Sequence, residues 1–153
     1  MPIRVYECDR AEVEQLKRAL EYDPYTDSNL LPPSKYNDKD VKSMSAEDKA
    51  AMAKDEAERA EKLAKIRADK LLNLIFWKQD CRMRDAASVD IDGDKVYLYI
   101  SASEEFLNGA DEKFAKEFKS LKRAQKADED KVIAKIAHEE EIANAGFGSI
   151  FGN

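Results

Sequence analysis

Three aspartates within five residues, Asp90, Asp92 and Asp94, form the first group in this chain with the types and spacing for chemistry. Alternating carboxylates open the calcium cage of an EF-hand loop. Here the glycine falls at position 93, the place of the twelfth ligand is taken by Ser101, and the flanking residues read as strands. The triplet is therefore expected to make a turn and not to hold a metal. His138 is the only histidine, with Glu141 one helical turn beyond it. A di-iron Glu-x-x-His helix would need a glutamate at 135, where this chain has lysine.

Cys8 and Cys81 lie far apart and make no Cys-x-x-Cys or other metal spacing. Cys8 sits at a strand-to-helix junction, where helix N–H groups can lower a thiol pKa. No basic anion-binding loop follows it, and a buried strand cysteine is the simpler reading. The chain has no Gly-rich phosphate loop, nucleophile elbow or dinucleotide fingerprint. No catalytic, cofactor-binding or metal residue is expected. A second reading, a small enzyme or cofactor-site accessory at an oligomer interface, would have to rely on Cys8, His138 and nearby carboxylates.

Two basic surfaces suggest anions. One is Lys78, Arg82 and Arg84 beside Trp77; the other is Lys113, Lys116, Lys119, Lys122, Lys126 and Arg123. These carry a third reading, a nucleic-acid-associated factor. The net charge of −6 argues against it, because a phosphate backbone demands a basic footprint.

The elements that must position these residues are few and long. Five Gly and four Pro in 153 residues leave little room for turns. Charged residues make up 38%, well above the ~25% usual in globular domains, and much of the apolar total is alanine. A modest core is expected, with stability that leans on self-association. The fold class is α+β and helix-dominated: long helices flanking a β-hairpin, preceded by a short N-terminal strand and helix. Residues 1–153 read as a single domain, with an extended arm over 22–44 and a C-terminal tail over 146–153.

Ile3 to Cys8 alternates as a strand, and Asp9 with Glu12 caps a helix that carries Val13, Leu16 and Leu20 on one face. Asp23-Pro24, Asn29 and Pro32-Pro33 punctuate the arm, and Leu30, Leu31, Tyr25 and Tyr36 make it apolar for a linker. Ser45 with Asp48 opens a helix running to about Asp85 without Gly or Pro, roughly 60 Å long at 1.5 Å per residue. Its first half has little beyond alanines and Met52 and lacks sustained heptads. A stripe of Leu63, Ile66, Leu71, Leu74, Ile75 and Trp77 follows.

Asp92-Gly93 is a type I′ turn pair, which sets Val89 opposite Val96 in a hairpin over 87–101. Ser101 and Glu104 make a capping box for a third helix, bearing Phe106, Leu107, Ala110, Phe114, Phe118 and Leu121, that Asn108-Gly109 could break. Asp128 caps a last helix with Val132, Ile133, Ile136 and Ile142, which Gly146 ends. Glu139, Glu140 and Glu141 near its C-terminus oppose the helix dipole. Reversed packing of a second molecule, or a basic partner, would neutralise them.

Methionine is followed by no apolar leader, and no run approaches a membrane span, so a cytoplasmic protein with no membrane contact is expected. The leading reading is a non-catalytic interaction subunit (an assembly, adaptor or regulatory factor) binding a protein partner or itself. Its contact residues are expected to be Leu30, Leu31, Tyr36, Trp77, Phe147, Ile150 and Phe151.

Overall fold

The computed structural model describes residues 1–34, 36 and 41–150, with the backbone alone for Val41 and residues 147–150. Within these the class is α+β: four α-helices and one four-stranded antiparallel sheet. The chain divides into two compact units, residues 22–75 and the combination of 1–21 with 76–153.

The discontinuous unit holds the sheet. Strand β1 (Ile3–Cys8) lies between β3 (Val96–Ser101) and the short β4 (Lys122–Arg123), and β2 (Asp80–Asp85) pairs with the other side of β3, giving the order β2-β3-β1-β4. Its helices are α1 (Val13–Glu21), α3 (Glu104–Glu117) and α4 (Lys126–Ile150). The register sets Val5 opposite Tyr99 and Tyr6 opposite Leu98. Val5, Tyr97 and Tyr99 therefore share one face, where they cluster with Val132 and Ile136 of α4. On the other face Tyr6 meets Phe114 of α3 edge-on at 5.1 Å, and Phe114 stacks on Phe76 at 5.3 Å. With helices over both faces, Val96 to Ile100 is buried at every residue. Burying those five side chains contributes on the order of 10 kcal/mol before chain entropy is counted.

The hairpin differs from the expected one. Asp85, not Val89, faces Val96, and Ala86 donates its N–H to the Lys95 carbonyl at 3.0 Å. Residues 86–89 coil into a 3-10 turn that buries Ala86 and Val89. Asp90 (φ 59°) and Gly93 (φ 108°) supply the left-handed residues of the connection. An Ala-Ala-Ser start favours the coil over a strand.

Ser103, not Ser101, caps α3, its Oγ accepting from the Phe106 N–H at 3.2 Å, while Ser101 finishes β3. Helix α3 runs unbroken through Asn108-Gly109, and polar side chains on it tie it to β1. Asn108 Oδ1 and Asp111 Oδ2 accept from Arg4 at 2.9 and 2.6 Å. Helix α4 starts at Lys126, ahead of Asp128, and its backbone continues past Gly146, which is not left-handed, to Ile150.

The second unit holds α2 (Ala46–Ala68). Ser45 caps it as expected, its Oγ accepting from the Asp48 N–H at 3.1 Å. It ends 17 residues before Asp85, with no Gly or Pro to stop it. Two polar side chains do so by competing for backbone groups. Asp69 Oδ1 accepts from the N–H groups of Leu71 and Leu72 at 3.1 and 3.2 Å. Asn73 Nδ2 donates to the carbonyls of Ile66 (2.5 Å) and Asp69 (2.9 Å). Leu71 thus lies in a turn and Leu74 follows it outside any helix, and Phe76–Lys78 forms a 3-10 turn.

Candidate functional site

Among the described residues no group of three or more His, Cys, Asp or Glu is arranged to hold a metal, and Asp90, Asp92 and Asp94 lie in the connection between β2 and β3. The thiols are poor nucleophiles. Burial, with Glu12 and Asp9 adding to it, pushes Cys8 up to about 11, and burial with Asp80 pushes Cys81 up to about 12. Cys8 faces Val96 at one end of the sheet and Cys81 faces Ile100 at the other, so no disulfide joins them.

His138 lines an open cleft of about 380 Å³ with Asp90, Lys131 and Lys135. Beside it a polar cleft of about 500 Å³ holds Glu7, Lys95, Tyr97, Lys122 and Asp128. Glu7, only 7% exposed, is bridged there by Lys95 (3.2 Å) and Lys122 (3.5 Å). Burial and then the charge of Asp128 push the Tyr97 phenol up to about 12, so it stays neutral. Glu7 and its two lysines thus satisfy one another.

Most residues of the basic surfaces are ion-paired within the chain. Arg82 pairs with Asp80 (2.9 Å) and Glu140 (2.7 Å), and Arg84 with Glu139 (2.8 Å). Two acids of the triplet near the end of α4 are thus matched by β2 and need no external cation. Arg84 holds the Glu139 carboxyl below its ordinary value. Lys116, Arg123 and Lys126 also sit beside glutamate or aspartate partners.

The expected contact residues are scattered. Leu30, Leu31 and Tyr36 belong to the second unit and are half-buried. The arm coils into turns: Asp27 accepts the N–H groups of Leu30 (3.1 Å) and Leu31 (2.8 Å), and Tyr36 donates its N–H to Ser34 Oγ (3.2 Å). Trp77, in the sheet-bearing unit, is 55% exposed with the Lys78 ammonium 5.4 Å from its ring. Phe147 and Ile150 lie on the backbone of α4, their side chains outside the described set, and Phe151 lies outside the described residues.

The surface that stands out is α2. Ile66 alone of its 23 residues is buried. Met52, Asp55, Arg59, Leu63 and Ile66 are at least partly covered and lie along one side, where the Arg59 guanidinium donates to the Pro32 carbonyl. Turned well away from them, Ala46, Ala50, Ala53, Ala57, Ala60 and Ala64 are all exposed. Their spacing alternates four and three, which is a heptad seam written in alanine. Reading alanine as weak burial, without reading its interval, hides this seam in the sequence. Helix α2 also carries six acids and six bases, none ion-paired with any described residue. No family model matches the chain, and no curated protein or solved structure is significantly similar to it. No helix among the described residues is long and apolar enough to cross a membrane.

Proposed function

We propose that this chain is a non-catalytic interaction subunit that docks a partner helix along α2. The observation that carries the reading is the exposed alanine seam on a 23-residue helix with a single buried residue. A helix this exposed gains little from its own packing, and isolated helices are marginal in water. Small side chains at the seam permit close backbone approach, at the short end of the 8–10 Å range for packed helices. Separately, the sheet-bearing unit exposes Trp77, an aromatic side chain of the kind enriched at binding hot spots. The neutral thiols and the lysine-bridged Glu7 give no support to an enzyme, and the paired arginines give none to a nucleic-acid factor.

The test is site-specific photocrosslinking in the native source. A photoreactive residue at Ala57 should capture a polypeptide, while one at the exposed Glu112 on α3 should not. Equal capture at both positions, or none at Ala57, would overturn the reading.

A further inference from the structure

We infer that the helix docking on α2 is α2 of a second copy of this chain, lying antiparallel. This rests on the docking reading above and adds the identity and direction of the occupant, both argued from charge. Residues 46–57 carry four acids (Glu47, Asp48, Asp55, Glu56) and two bases (Lys49, Lys54). Residues 58–68 carry two acids (Glu58, Glu61) and four bases (Arg59, Lys62, Lys65, Arg67). The helix is neutral overall and opposite in sign at its two ends. A copy of itself, reversed, is the complementary surface.

The flanks of the seam select the direction more sharply. With Ala50, Ala57 and Ala64 as the a positions and Ala46, Ala53 and Ala60 as the d positions, Lys49 and Glu56 occupy g, and Lys54 and Glu61 occupy e. A parallel, in-register pair joins each g to the e five residues on in its partner. That sets Lys49 against Lys54 and Glu56 against Glu61, like charges at both sites. An antiparallel pair joins e to e. With Ala57 of one copy level with Ala60 of the other, Lys54 of each lies beside Glu61 of the other, twice over. Among the described residues neither Lys54 nor Glu61 has an ion partner in its own chain, and this arrangement supplies one to each.

The experiment uses the full chain. Sedimentation at rising concentration should show a monomer–dimer equilibrium that weakens in salt. Ala57→Glu keeps a strong helix former at an exposed position, so the fold persists by circular dichroism while the dimer is lost. Lys54→Glu should weaken dimerisation roughly tenfold, and adding Glu61→Lys should restore it. Nitroxides at Asp48→Cys, with the native cysteines replaced by alanine, report direction. At 1.5 Å per residue an antiparallel pair places them roughly 30 Å apart, and a parallel pair within about 15 Å. The short distance would overturn the antiparallel arrangement. A monomer at all concentrations would overturn self-pairing, while the Ala57 crosslink to a different protein would leave the docking reading standing.

Discussion

Asp111 on α3 lies 2.6 Å from the Arg4 guanidinium on β1, and its second oxygen accepts the Tyr6 hydroxyl. Arg4 keeps two further acceptors, Asn108 at 2.9 Å and Glu104 at 3.0 Å, whereas the nearly inaccessible Tyr6 hydroxyl has Asp111. Burial and that carboxylate push the Tyr6 phenol well above the usual tyrosine value, so it remains a neutral donor. Asp111→Ala strands the hydroxyl and weakens the guanidinium site, and should cost about 2–3 kcal/mol. Tyr6→Phe leaves Arg4–Asp111 intact and should cost about 1 kcal/mol. Urea unfolding of the two variants measures the order, and the reverse order would show that the helix–strand tie works otherwise.

Glu12 predicts an acid-sensitive step. Its carboxylate accepts from the Ser120 hydroxyl and from the backbone N–H groups of Ser120 (2.6 Å) and Lys119 (3.1 Å). The Ser120 hydroxyl, followed by those amides, holds its pKa below the ordinary 4.5. A lowered folded pKa means the stabilisation is complete above about pH 4.5 and is lost as pH falls through the folded value. Glu12→Gln should therefore be less stable than the parent at pH 7, with the gap closing on acidification below pH 4. A gap unchanged between pH 7 and pH 3, measured by denaturant midpoints, would contradict this.

The two thiols should be slow to react. With Cys8 up at about 11 and Cys81 at about 12, little thiolate exists at pH 8. Cys8 is buried, and Cys81 donates its S–H to the Phe76 carbonyl at 3.4 Å. A disulfide reagent should modify neither quickly in the folded chain and both at once in denaturant. Rapid reaction of one equivalent under native conditions would count against this account.

Trp77 is the single tryptophan, so its fluorescence reports one site. Being 55% exposed, it should emit like a solvated indole and be quenched by acrylamide in the free chain. If it anchors a partner, binding should shift the emission to the blue and protect it. Trp77→Ala should change stability by less than about 0.5 kcal/mol, as exposed substitutions usually do.

The parts of this fold that were readable in the sequence are those with local causes. Alternation gave β1 and β3, and the Ser45 cap marked the true start of α2. Strand β2 was hidden because Arg82 and Arg84 occupy positions where a sheet facing a helix normally carries apolar residues. They are tolerated through Glu140 and Glu139, more than fifty residues away, and no short window contains that pairing. The end of α2 was hidden because Asp69 and Asn73 stop it by side-chain bonds, where composition would look for glycine or proline. Of the expected contact residues, Trp77 is exposed, while Leu30 and Leu31 are half-covered by an arm that turns on Asp27.

The strand order β2-β3-β1-β4 has a consequence for biosynthesis. The segment forming β1 leaves the ribosome some ninety residues before β3, and both of its neighbours, β3 and β4, come later still than β2. At about 5–20 residues per second, an apolar ribbon waits several seconds for its first mate. During that interval Val5, Tyr6 and Cys8 are open to chaperones or to a nascent chain on the next ribosome.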